Sequence, residues 1–128
     1  MEISVTNGIR VAVETNYLPH HSDPREGKYL FGYHIMIENG SPHTVQLLRR
    51  HWFITDGAAQ VREVEGEGVV GEQPILLPGA QYEYASYCDL HTEIGKMRGT
   101  YLMTRQDDDS LFEVEIPEFK MVAPSKLN

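Results

Sequence analysis

Apolar residues along this chain return at every second position far more often than at every third or fourth. In "IRVAVETNY", Ile9, Val11 and Val13 alternate with Arg10, Ala12 and Glu14, the mark of a strand with one buried face. From Tyr29 to Glu38, "YLFGYHIMIE" sets Tyr29, Phe31, Tyr33, Ile35 and Ile37 on one face and His34 and Glu38 on the other. "NGSPH" then supplies turn chemistry. The segment "TVQLLRRHWFIT" is rich in β-branched and aromatic residues, and "DGAA" separates it from "QVREVE", so a hairpin is predicted there. Shorter runs follow at Pro74 to Leu77, Gln81 to Tyr87, Gly99 to Arg105 and Leu111 to Ile116, divided by "LPGA", "DLHTEIGK" and "QDDDS". "NYLPHHSDPREGK" reads as a long mobile loop, and no stretch shows sustained helical periodicity.

About seven or eight short strands with turn signals roughly every 8 to 12 residues predict an all-β fold. Two antiparallel sheets packed face to face are favoured over a barrel. Without a Cys…Trp…Cys spacing, the sandwich is of immunoglobulin/fibronectin-III-like type rather than an antibody-type domain. The 128 residues predict a single domain spanning positions 1–128.

Charge and cysteine content narrow the function. Lys plus Arg number 11 against 19 Asp plus Glu, a formal charge of −8, which opposes the counterion release that drives nucleic-acid binding. Cys88 stands alone, so neither an intrachain disulfide nor a Cys-rich zinc site is available. No secretory leader or membrane-spanning apolar run is seen, and the expectation is a soluble cytoplasmic protein that binds neither nucleic acid nor membrane.

The stretch "GEGVVG", Gly66 to Gly71, fits the G-x-G-x-x-G pattern that elsewhere cradles a pyrophosphate. With 11 glycines in the chain, roughly 0.08 such matches arise by chance in a shuffled sequence. The pattern works when it joins a parallel strand to a helix whose N-terminus faces the phosphates. Here "EQPILLPG" follows, and its prolines oppose a helix, while Glu67 and Glu72 place negative charge beside any bound anion. The three glycines are therefore expected first as backbone geometry between strands. Binding of phosphate by their N–H groups is the competing reading.

Alternation in "RRHW" puts Arg49 and His51 on one face and Arg50 and Trp52 on the other. Arg50 or Arg49, with Arg98, is the candidate anion clamp beside the glycines, because guanidinium forks match phosphate or carboxylate oxygens. The six histidines show no His-x-His or His-x-x-x-His pair, so a metal would need ligands from separate strands, and none is assigned. Asp107, Asp108 and Asp109 read as a solvated hairpin tip. Ser86 and Cys88 share a strand face near His91, yet nothing fixes a histidine against either of them. No catalytic residue and no cofactor are assigned.

Taken together, "VQLLRRHWFITD", "VEGEGVVGEQPILLPGAQYEY", "GKMRGTYLM" and the closing "FEVEIPEF" followed by "LN" resemble the ApaG family of small bacterial proteins over nearly the whole chain. The resemblance implies a fibronectin-III-like sandwich. It implies no known reaction. The family's name comes from a gene neighbour of the diadenosine tetraphosphate hydrolase, and its members are linked in general terms to cobalt and magnesium efflux. Related domains in an F-box protein and a DNA-polymerase-interacting protein suggest protein–protein contact. The family's proposed pyrophosphate motif maps here onto Gly66, Gly68 and Gly71.

Three function classes follow. The first is a non-enzymatic interaction module with a protein partner, in which a sheet edge could also serve homodimerisation. The second is a sensor that binds a nucleotide or dinucleoside polyphosphate at the glycines with Arg50 or Arg98. The third is a metal-dependent hydrolase using Glu63, Glu65, Glu67 or Glu72, and it ranks last.

Overall fold

The computed structural model describes residues 1–58 and 60–124. The strands run β1 (Glu2–Thr6), β2 (Ile9–Tyr17), β3 (Tyr29–Asn39), β4 (Val45–Asp56), β5 (Gln60–Glu67), β6 (Ile75–Leu76), β7 (Gln81–Leu90), β8 (Ile94–Arg105) and β9 (Leu111–Val122). Every pairing is antiparallel. One sheet has the order β1-β2-β3-β7; the other has β5-β4-β8-β9, with β6 also paired to β4. This is the expected two-sheet sandwich, with nine strands among the described residues instead of seven or eight.

The additional strand is β1, which a two-residue turn joins to β2. Asn7 and Gly8 hold φ of 50° and 82°, the left-handed pair that the right-handed twist of a tight hairpin demands. β9 also outruns its predicted end, continuing through Pro117 to Val122. Proline has no N–H to donate, and it is accommodated because β9 is an edge strand whose pairing with β8 is irregular at this point, between Met97 and Gly99. The segment expected to be a long mobile loop contains two short 3₁₀ turns, Pro19–His21 and Pro24–Glu26. Ser22 Oγ ties this segment down, donating to the Leu18 carbonyl and accepting from the Leu30 N–H.

The predicted alternation holds where burial is deepest. Ile9, Val11 and Val13 from β2 and Tyr29, Phe31, Tyr33, Ile35 and Ile37 from β3 face Trp52, Ile54, Met97, Tyr101, Val114, Ile116 and Phe119 in one core. Trp52 meets Tyr33 and Phe119 edge-on. Among the described residues no helix is long and apolar enough to cross a membrane.

In β4 the alternation changes phase. Val45 and Leu47 point inward, and so do Trp52 and Ile54, which strict alternation forbids. A bulge at Leu48 resolves the conflict: the register against β8 slips between Leu47 and Arg49.

The two sides of the sandwich are closed differently. On one side β1 lies along β9, where Ser4 Oγ donates to the Glu115 carbonyl (2.8 Å) and the Glu115 N–H donates to Thr6 Oγ1 (3.1 Å). On the other side β5 and β7 are both edges, and the Arg62 side chain bridges them.

Between the sheets the hydroxyls of Tyr84 and Tyr101 share a hydrogen bond of 2.6 Å. Burial pushes both phenols above the usual 10.0. The unfolded chain, with ordinary phenols, therefore releases protons that the fold retains. Their contribution to stability is full below pH 10.0 and is lost as pH rises past it. We expect the phenolate absorbance of these two residues to appear only with unfolding in an alkaline titration. The double variant Tyr84→Phe/Tyr101→Phe should stay within about 1 kcal/mol of wild type at neutral pH and unfold at a higher pH.

Candidate functional site

The glycine motif begins with Gly66 at the end of β5 and continues into an excursion between β5 and β6, which successively occupy the same edge of β4. The chain leaves β4 at Gly68, whose N–H donates to the Leu48 carbonyl (2.8 Å), and returns at Pro74, whose carbonyl accepts from the Leu47 N–H. Between them Val69 and Glu72 exchange both backbone hydrogen bonds, with Val70 and Gly71 at φ of 43° and 81°. Positive φ at both central positions is the pattern of a type I′ turn. Val69 is fully buried and anchors the excursion to the core. No helix follows, and the N–H groups of Gly68, Val69 and Glu72 are all donated within the protein.

The glycines answer different demands. A Cβ on Gly68 would lie 2.1 Å from the Glu72 carbonyl oxygen, at a φ of 62° that side chains rarely adopt. One on Gly66 would lie 2.8 Å from both Nη1 and Nη2 of Arg50, so glycine here makes room for the guanidinium. Gly71 has open space around it and needs only its positive φ.

Arg50 does reach the glycine loop. Its Nη1 donates to the Glu67 and Gly68 carbonyls, both at 3.0 Å, so it grips the loop's backbone. Arg98 does not join it. Arg50 pairs with Tyr101 on the inner face, whereas Arg98 pairs with Phe53 on the outer face and stacks on that ring at 4.4 Å. Arg49 is likewise on the outer face. The sheet therefore separates Arg50 from Arg98, whereas Arg49 and Arg98 share the outer face at different register positions, across from Leu102 and Phe53.

Inward from the loop, β5 and β7 flank a cleft of about 240 Å³ bordered by Arg50, Trp52, Val64, Arg62, Tyr33 and Ser86 among others. Arg62 spans its far end, donating to the carbonyl and Oδ1 of Asp89 and to Cys88 Sγ. Arg50 lies close enough to Tyr33 and Tyr84 to favour their ionised forms, but burial outweighs it and raises both. Burial also pushes the Cys88 thiol up to about 11, where it is a poor nucleophile at neutral pH. Among the described residues no hydrogen bond joins the His91 ring to Cys88 or Ser86; the His91 backbone N–H caps the Asp56 carboxylate instead.

On the outer face the structure assembles a group that single-strand spacing hides. His51 Nε2 lies 3.1 Å from Glu63 and Nδ1 3.1 Å from Glu65, while the ring stacks on Phe53. The donor atoms of the three lie within 4.8 Å of one another, close enough for a divalent cation to draw on them. As placed, each ring nitrogen faces a different carboxylate. The remaining acids disperse: Glu72 accepts from the Tyr82 hydroxyl, and Glu67 pairs across from Arg49.

The ApaG domain model matches residues 19–105. The chain belongs to the ApaG family. Protein ApaG of Brucella suis biovar 1 (strain 1330) is 49% identical over 126 residues, 98% of this chain and 96% of the relative. Protein ApaG of Brucella anthropi is 50% identical over 123 residues, 96% and 94% of the two chains. The crystal structure of a Bordetella pertussis protein given the name ApaA superposes with a TM-score of 0.87 at 46% identity, covering 91% of this chain and 94% of that one. An Archaeoglobus fulgidus protein, 8% identical, shares the fold with a TM-score of 0.52, covering 88% and 95%.

The loop geometry ranks its substitutions. Gly68→Ala must displace backbone and is expected to cost about 2–4 kcal/mol, and Gly71→Ala about 1 kcal/mol. Val70→Asn should gain roughly 1 kcal/mol, since a β-branched residue is strained at positive φ and asparagine is not. Denaturant unfolding of the three variants checks the order, and Gly68→Ala as mild as Gly71→Ala would contradict it.

Proposed function

We propose that the protein is a non-enzymatic binding module that recruits an extended segment of a protein partner along the edge of β7. The observation behind this reading is the asymmetry of the sandwich. β9 is covered by β1, β5 gives way to the glycine excursion, and β7 offers ten consecutive residues with one side unpaired. Apart from the Asp89 carbonyl, which Arg62 already holds, main-chain hydrogen bonds along this edge give affinity, and the side chains facing the cleft give selectivity. Tyr87, 70% exposed on this strand, supplies the large rigid aromatic surface that binding hot spots favour.

The chemistry of the site agrees with binding in place of turnover. The thiol is held protonated, and the carboxylates are divided between the outer face and Tyr82. The glycine loop has less to offer a polyphosphate, because three of its N–H groups are occupied and Arg50 already holds its carbonyls.

A photo-crosslinking residue at position 87 should capture the partner, whereas one at Leu111, 62% exposed at the start of β9, should not. Amide exchange of the complex should show protection within Gln81–Leu90. Protection confined to positions 66–72 would overturn the reading and favour the glycine loop. A concentration-dependent dimer that protects the β7 amides would identify the partner as a second copy of this chain.

A further inference from the structure

In the cleft beneath β7, two arginines are in different electrostatic states. Arg62 is matched by Asp89 at 3.2 Å. Arg50 has no carboxylate partner among the described residues, in a chain with 19 acidic side chains, although it is partly buried. Nη1 is committed to two carbonyls, and among the described residues no hydrogen bond uses Nε or Nη2. These two groups form one edge of the guanidinium plane, the parallel pair of N–H donors that a carboxylate accepts in bidentate fashion.

We propose that this edge of Arg50 receives a single carboxylate from an acidic side chain of the segment that pairs with β7. The proposal rests on β7 being the docking edge and adds what the edge selects. A strand added to β7 turns every second side chain toward the cleft, in line with Tyr84, Ser86 and Cys88. Tyr33, the cross-strand neighbour of Ser86, and Tyr84 both feel the Arg50 charge, so the incoming side chain near these positions lies by the guanidinium. The next inward position meets Val64 and the rim of Trp52, which suit an apolar side chain. The segment chemistry is therefore an acid and an apolar residue two positions apart.

Charge matching favours a carboxylate over a phosphate. With Arg62 neutralised by Asp89, the cleft holds one uncompensated positive charge, which a monoanion balances. A phosphate dianion would leave negative charge partly buried in a molecule whose formal charge is already −8.

The experiment is a ¹⁵N NMR titration of the full chain that follows the Arg50 Nε–H and the β7 amides. The probes are acetate, inorganic phosphate and three extended peptides of alternating valine and threonine. Two peptides are blocked at both ends, one with a central glutamate and one with glutamine; the third carries glutamine and a free C-terminal carboxylate. The glutamate peptide should shift β7 amides and the Arg50 Nε–H together and bind at least tenfold more tightly than the blocked glutamine peptide. The Arg50→Gln variant should reduce that ratio to within twofold. If the variant does not fold, the glutamate-to-glutamine ratio on the wild type decides alone. Equal binding of the two blocked peptides at β7 with a static Arg50 signal overturns the receptor and leaves the edge standing. Acetate moving Arg50 while no peptide moves β7 supports the receptor and removes the edge. Phosphate binding Arg50 more tightly than acetate overturns the monoanion assignment, and tightest binding by the free C-terminus overturns the side-chain source. No shift with any probe overturns both readings.

Discussion

One extra residue in β4, Leu48, determines which way the middle of the molecule faces. Had the alternation begun by Val45 and Leu47 continued unbroken, Arg49, His51 and Phe53 would point into the core and Trp52 and Ile54 into water. The bulge reverses this: it delivers Trp52 to the junction of Tyr33 and Phe119 and turns Arg50 inward. It also sets the Leu48 carbonyl where it accepts both the Gly68 N–H and Gln73 Nε2, two of the bonds that fasten the glycine excursion to the sheet. Core packing, the arginine in the cleft and the loop over it therefore share one backbone irregularity.

The excursion follows from a problem common to sandwiches. Two stacked sheets have lateral openings, and exposed edges invite unwanted pairing unless they are covered, interrupted or charged. This chain covers β9 with β1 and interrupts the β5 edge with a tight turn carrying a buried valine. It also lines the outer face of β5 with Glu63, Glu65 and Glu67. The edge of β7 receives the least of this protection. Glycine at 68 allows the turn to fold back on itself, and glycine at 66 lets the guanidinium of Arg50 lie against the backbone. A pattern shared with dinucleotide-binding loops thus serves here to pack an arginine onto a strand edge.

Much of the fold was legible because period-two burial is a local property. Tyr29 through Ile37 could be assigned to one face from spacing alone, and that face is buried. Strand ends were less legible. β1 exposes most of its residues, including Ile3 and Val5, so its alternation carries little signal, although the Asn7-Gly8 turn after it was a readable hairpin mark. The run expected over Leu111 to Ile116 extends through Pro117 to Val122, where the pairing with β8 is irregular. The division of Arg50 from Arg98 needed the cross-strand register, which follows from neither segment by itself. The same holds for His51 between Glu63 and Glu65: it lies opposite Glu65 only because Asp56 of the "DGAA" turn itself pairs with Gln60.

The electrostatic design separates the two faces of the β4–β5 hairpin. Outside, His51 sits between two glutamates, and Arg98 is occupied by the ring of Phe53. Inside, among the described residues, the positive charge of Arg50 is met only by carbonyl dipoles. A guanidinium so placed costs less than a bare buried charge, because two carbonyls share it and part of its surface stays wet, yet it lacks the compensation that a carboxylate would give. Had stability been the only requirement, one of the 19 acids could have supplied that partner, as Asp89 does for Arg62 across the same cleft. An arginine held rigid by its own loop, with two donors left over beside an open sheet edge, is already organised for an acceptor. Little conformational entropy then remains to be lost when that acceptor arrives.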